Sequence, residues 1–416
     1  MNLPFFIAGR LKLVSPQSRR SAVSVKVATV GVALSITVML LTLAIVRGFK
    51  QQITEKIIGF DSELTLTQAA QGRNGETPLT FSDDLRDIIA SALPEKAQIT
   101  PAIVQPAVLK TENDFSTVIF RAYGENKDRS FLRDCLTEGS LPDFNSEEGR
   151  NDIVLSSTVA DALGLKTGDK INSCFFINDK IKVRRYRIAA IYESNFGEYD
   201  KVIAFCSMAT LRHLTGMSED QCGRIEISGL PLETIPEAQQ NLSKSLTVSY
   251  YEGRLNDYMN TTSVLTTGAV YFSWLELLDT NVVIILILMG AISVFTLISS
   301  LFILILERVQ TIGILKSVGA SDSMIRKIFI IMSLRIALRG MLAGNIVGLG
   351  LIALQYFFRI VPLDPEAYYI SFVPVNITIQ EVLILNIASL ALALAAMVIP
   401  SRIIGKMQTA QIIRYE

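Results

Sequence analysis

Few residues of this chain have the types and spacing that chemistry needs. Its one histidine, His213, sits beside Leu211 and Leu214, and a lone imidazole with no partner in sequence reads as structural. The four cysteines, Cys135, Cys174, Cys206 and Cys222, make no C-x-x-C pair, which argues against zinc and dithiol chemistry. They admit two disulfides in an oxidising compartment, or they are free thiols serving as small hydrophobes. "GLKTGDK" (Gly164–Lys170) lacks the G-x-x-x-x-G-K-[ST] spacing that wraps backbone N–H groups around phosphates. The acids are scattered without metal-ligand spacing. What stands out instead is "ERVQTIGILKSVGAS", Glu307–Ser321, charged at both ends and apolar between. Ile312, Leu315 and Val318 recur at three-residue steps, one apolar face of a short helix. Thr311, Lys316 and Ser317 lie around its polar side. Gly319 can end that helix, and "SDS" can cap the next. The residues alone leave two occupants open for the apolar face, a lipid surface or a docked protein.

A helix of this kind is positioned by what flanks it, and the flanks are membrane. Of 416 residues, 50% are hydrophobic and 19% charged, with a mean hydropathy of +0.39. A soluble chain carries about a quarter charged residues, so the deficit belongs to spans. The formal net charge is zero, which leaves no global field to attract nucleic acid. Val27–Val46, Val282–Leu306, Gly340–Phe358 (beginning earlier, near Lys327) and Val382–Ser401 are apolar runs. Each is long enough to cross a ~30 Å hydrocarbon core as a helix. The first run exceeds the ~7–15 residues of a signal peptide's apolar region, and no small-x-small cleavage site follows it, so it is read as a span.

Cations flank one set of span ends. Arg10, Lys12, Arg19, Arg20 and Lys26 precede the first span, Arg308, Lys316, Arg326 and Lys327 lie between the second and third, and Arg402, Lys406 and Arg414 follow the fourth. This asymmetry predicts cytoplasmic termini. The expected layout is a cytoplasmic or interfacial segment 1–26, spans over 27–48, 280–306, 327–358 and 381–402, a cytoplasmic helix over 307–326, an outer loop over 359–380 and a tail over 403–416. The outer part, 49–279, reads as α/β: "SELTLTQ" and "KVRRYRIAAIYE" alternate like strands, while "DLRDIIASAL" has helical spacing. Two subdomains are expected, the middle one over about 122–222. In the third span Gly340, Gly344 and Gly348 fall four apart on one face, suited to close helix packing; packing within the chain is the favoured use and a dimer seam the alternative. Arg335 and Arg339, near its cytoplasmic start, are read as snorkelling to headgroups.

"ERVQTIGILKSVGASDSMIRKIFI" resembles the cytoplasmic signature of FtsX-like/MacB-like ABC permeases. "FFIAGRLK" through "GVALSITVMLLTLAIVRGFKQQITEKIIGF", "WLELLDTNVVIILILMGAISVFTLISSLFILILERV", and "LDPEAYYISFVPV" with the final span and "RYE" are similar to the lipoprotein-releasing (Lol-type) members. The resemblance implies a polytopic protein of four helices with a large extracytoplasmic α/β domain, in a bacterial inner membrane. It implies a non-enzymatic subunit that binds no cofactor, working as a dimer with a second copy or a paralogue, beside a cytoplasmic ABC ATPase that binds ATP and magnesium. The helix between spans two and three would couple to that ATPase. Ile312, Leu315 and Val318 would be its apolar contacts and Glu307, Arg308 and Lys316 its polar rim, with Gly313 permitting close approach and Gly319 the turn. The cargo would be a lipoprotein taken from the outer leaflet and handed to a periplasmic carrier, its acyl chains near Met39, Leu43, Val46 and Leu286. Two other activities occur in the class: export of drugs or peptides from the periplasm, and activation of a cell-wall hydrolase.

Overall fold

The computed structural model describes residues 19–69, 76–125 and 127–401. Arg10, Lys12, the "FFIAGRLK" segment and the tail over 403–416, expected to be cytoplasmic, lie outside the described residues. The chain forms two compact units. One takes the chain up to Gln51, Trp274–Pro362 and the chain from Phe372 on; the other takes Gln52–Ser273 and Leu363–Ser371.

The helical unit draws on five helices: α1 (Arg19–Phe60), α2 (Ala269–Glu307), α3 (Val309–Ser317), α4 (Asp322–Phe358) and α5 (Ile379–Ser401). Of these, α1, α2, α4 and α5 are long and apolar enough to cross a membrane. The helices overrun the apolar runs in the sequence, because a backbone ladder does not stop where charge returns. At 42 residues, α1 is about 63 Å long at 1.5 Å per residue, roughly twice a hydrocarbon core. Its last nine residues, 52–60, belong to the other unit.

The core of the helical unit is built from Ile36, Leu40 and Ala44 of α1, Leu297, Leu301 and Leu304 of α2, and Ile328, Phe329 and Met332 of α4, with Leu385 and Met397 of α5. Gly340, Gly344 and Gly348 are buried on one face of α4. A Cβ at Gly340 would stand 2.9 Å from the Thr29 carbonyl oxygen, and one at Gly344 would stand 2.6 Å from that of Ala33. The stripe is therefore pressed against α1 of the same chain, where Thr37 Oγ1 also donates to the Gly344 carbonyl at 3.1 Å. Between α4 and α5, Asn345 and Asn386 exchange amide hydrogen bonds of 2.7 and 2.9 Å. Each also donates to the carbonyl four residues back, Met341 and Val382, at 2.8 Å.

The other unit is α/β. Its main sheet has ten strands. They are β1 (Leu64–Gln68), β3 (Gln98–Lys110), β4 (Phe115–Tyr123), β5 (Leu136–Gly139), β6 (Asp152–Ser156), β7 (Lys170–Ile177), β8 (Lys180–Tyr192), β9 (Ile203–Cys206), β11 (Arg224–Ser228) and β12 (Met259–Ser263), while β2 (Leu79–Thr80) and β10 (Gln221–Cys222) pair separately. The order is β12-β1-β11-β3-β4-β9-β6-β8-β5, with β7 bonded to both β3 and β8. The stretch expected as a separate middle subdomain, 122–222, contributes β5 to β9 to this same sheet. The reason is the length of β3. Its first residues pair with β11 (Ala102↔Arg224) and its last with β7 (Ala107↔Phe175). Pro106, which has no N–H to give, falls between the two partners. There the Val104 N–H finds the Glu76 carboxylate at 3.2 Å.

The end of α1 enters this unit through paired charges. Arg121, almost fully buried, meets the Asp61 carboxylate at 2.8 Å and donates to the Phe60 carbonyl. Lys127 reaches Glu226 at 2.9 Å and Ser62 Oγ at 2.7 Å. Buried charges persist only when paired in this way.

Candidate functional site

The segment Glu307–Ser321 forms a helical elbow. The second long helix stops at Glu307, where charge begins, and α3 starts after Arg308. It ends in a Schellman turn: the Ala320 N–H reaches the Leu315 carbonyl at 2.9 Å, the Gly319 N–H that of Lys316 at 3.0 Å, and Gly319 takes φ +92°. Ser321 then caps α4, its Oγ accepting from the Met324 N–H at 3.3 Å. Asp322 follows in the first turn, where the helix dipole favours an anion.

The elbow changes which side chains are available to a partner. Ile312 is fully buried, Gly313 is buried, and Leu315 packs half-buried against the same core, which includes Leu304, Ile305, Ile325 and Ile328. The expectation that Ile312 and Leu315 offer an outward apolar face is therefore corrected. The helix folds back so that α4 covers that face. Lys316, expected on the polar rim, is only 12% exposed and bonds Asp322 at 2.9 Å. Outward stand Ile314 and Val318, 65% and 82% exposed, one turn apart. Glu307, Gln310, Ser317 and Gly319 are exposed with them, and Arg308 is half-buried. Ile314 is the residue that sequence reasoning missed. Its signal was the i,i+4 pairing with Val318, masked by the competing three-residue repeat.

The residues expected at acyl chains divide in the same way. Met39 lies inside the helical core at 4% exposure, which corrects its place at a lipid surface. Leu43, Val46 and Leu286 are half-buried. On α2, Val283, Ile284, Ile287 and Leu288 are outward. The outward face was not separable in sequence because every face of this helix is apolar.

Among the described residues, the histidine, the cysteines and the acids gather into no metal-ligand group. His213 is exposed on the helix Met208–Thr215. In Gly164–Lys170, Gly164 and Gly168 take positive φ and the Lys166 N–H bonds Asp169, so this is a tight connection into β7 and not a phosphate cradle. All four cysteines are free, which removes the two-disulfide alternative. Burial pushes the Cys135 thiol up to about 11 and the Cys222 thiol up to about 12.

Membrane-length helices, a large α/β unit and a short elbow helix between two of the long helices define the class of multi-pass membrane proteins with a large α/β unit. Two family descriptions match along the chain: "MacB-like periplasmic core domain" over residues 27–245 and "FtsX-like permease C-terminal" over residues 283–409. The chain belongs to this FtsX-like/MacB-like permease family. It is similar to "Lipoprotein-releasing system transmembrane protein LolC" of Xylella fastidiosa, 24% identical over 99% of each chain. It is also similar to "Lipoprotein-releasing system transmembrane protein LolE" of Haemophilus influenzae, 23% identical over 99% of each. Among solved structures, the periplasmic region of MacB from Actinobacillus actinomycetemcomitans covers 52% of this chain and 95% of its own, with 16% identity and a TM-score of 0.33.

Proposed function

We propose that the chain is the permease subunit of an ABC transporter that extracts lipoproteins from the outer leaflet of a bacterial inner membrane. A separate ATPase drives it, a second copy or paralogue completes the dimer, and a periplasmic carrier takes the cargo. The observation that carries this reading is its reach. Lipoprotein-releasing relatives align over 99% of this chain and 99% of their own, so the likeness runs through all four spans and the α/β unit. The mechanism follows from the elbow. The outward Ile314 and Val318 are the apolar contacts for the ATPase. The Schellman turn and the Lys316–Asp322 pair make α3 and the start of α4 one stiff piece. Movement of that piece tilts the spans, and the acylated cargo leaves laterally along Leu43, Val46 and Leu286 without crossing the membrane.

A photo-crosslinker at Val46 tests the cargo. Each buried CH₂ contributes about 0.8 kcal/mol, so acylation dominates affinity. Adducts are expected with a lipidated protein and not with its unlipidated form, decreasing during ATP turnover. Equal labelling of both forms favours export of soluble compounds. Absence of adducts alongside intact ATPase stimulation favours control of a wall hydrolase.

Orientation has its own expected result. The half-exposed Cys174 on β7 faces outside if the termini are cytoplasmic. An impermeant maleimide added to spheroplasts should label Cys174, and should label the buried Cys206 and Cys222 only after unfolding. Protection of Cys174 until the membrane is broken reverses the topology.

A further inference from the structure

We propose that Lys56 is a positioning residue that pins the Leu363–Ser371 connection, between α4 and α5 in sequence, within the α/β unit, and that cargo transfer depends on this pin. This rests on the permease reading above.

Lys56 lies one turn before the end of α1. Its ammonium donates to two main-chain carbonyls, that of Ser194 at 2.5 Å and that of Tyr369 at 2.7 Å. Both acceptors belong to irregular backbone. Asn195, next to Ser194, takes φ +56°, and Tyr369 takes φ +60°. Non-glycine residues in the left-handed region are strained and persist where their surroundings over-determine them. Asp200 holds the first segment, accepting from Ser194 Oγ at 2.6 Å and from the N–H groups of Ser194 and Phe196 at 3.2 and 3.3 Å. Rings hold the second. Phe196 is fully buried and meets Tyr369 at 4.9 Å, Tyr271 at 5.0 Å and Tyr199 at 5.0 Å between centroids.

The segments joined here have distinct continuations. Lys56 is on α1. Tyr271 lies in the first turn of α2. Tyr369 lies in the only stretch between α4 and α5 that belongs to the α/β unit. Ser194 to Asp200 links β8 to β9. The ammonium bonds a main-chain carbonyl of each strained segment, and the Tyr271 ring meets Phe196 and Tyr369 beside it. Its acceptors are neutral carbonyls, so a neutral side chain of similar length removes two charge-assisted bonds, while Asp200 keeps its bonds from Ser194 and Phe196.

The test uses the full chain with its co-purifying ATPase in vesicles loaded with a fluorescent tripalmitoyl-cysteinyl peptide. Three quantities are read: ATP hydrolysis, transfer of the peptide to a soluble acceptor, and amide exchange in 194–200 and 366–371. Lys56→Met should speed exchange in both segments and cut transfer at least tenfold, with hydrolysis within twofold of the parent. Lys56→Arg should restore transfer. Tyr369→Gly, which suits the positive φ but lacks the ring, should uncouple in the same way. Unchanged exchange in Lys56→Met overturns the pin. Faster exchange with normal transfer, or hydrolysis and transfer falling together, overturns the positioning role. If the parent itself transfers no acylated peptide, the lipoprotein reading fails, and the exchange data still decide the pin.

Discussion

Replacing Gly344 with leucine is expected to disrupt the packing of α4 against α1. A Cβ there would lie 2.6 Å from the Ala33 carbonyl oxygen, 2.8 Å from Ile36 Cβ and 3.1 Å from Ala33 Cα. Two of these are backbone atoms and cannot rotate away, so α1 and α4 would have to separate. Overpacking of a tight contact costs about 1–3 kcal/mol, and loss of the close approach along the stripe places this site at the upper end. The internal control is Gly350, which has open space at its Cβ position. Gly350→Ala should be neutral or mildly stabilising, since glycine inside a helix costs up to about 1 kcal/mol relative to alanine. Thermal unfolding of the two variants in one detergent decides the matter. Equal midpoints would mean that the stripe does not hold α1 to α4.

The second large effect is expected at the elbow. Ile314→Asp combined with Val318→Asp should abolish co-purification of the ATPase, weakening binding at least 100-fold, about 2.7 kcal/mol. Truncations at interface hot spots commonly reach 2 kcal/mol or more each. Membrane insertion and thermal stability should stay at the parent level, because both side chains are outward. Ile312→Asp should do the reverse, destabilising the helical unit by burying an unpaired carboxylate. An ATPase that still binds and responds to the double variant would leave α3 as a helix resting on lipid. A stable Ile312→Asp chain would move the docking face back to the inner side.

The contrast between Ile312 and Ile314 shows how far sequence reaches in this protein. The spans are legible because lipid demands long uncharged helices, and Val282–Leu306 allows no other reading. The elbow is legible as well: Gly319, Ser321 and Asp322 are termination and capping residues in the order that a helix–turn–helix needs. The inward face of α3 is not, because Ile312, Ile314, Leu315 and Val318 surround a helix of nine residues, and only the return of α4 decides which of them is covered. For Met39 the difficulty is the same, since a core residue and a lipid-facing one have identical chemistry within a span. Lys56 is invisible for a different reason. Its partners are carbonyl groups, which every residue carries, at Ser194 and Tyr369, far away in sequence. Asn345 and Asn386 could have been paired in advance, since each is a polar amide inside an apolar run, where a partner across helices is required.

That asparagine pair also limits how the third and fourth spans can travel. Both amides are used twice, once across and once along their own helix. A slip of α5 along α4 by one turn, about 5.4 Å, would part them in a medium with no water to replace the bonds. The pair therefore works as a detent: sliding is blocked, while swinging of the two helices together is not. Under the proposed coupling, a displacement at Asp322 would carry α5 along with α4, because the pair ties the two helices.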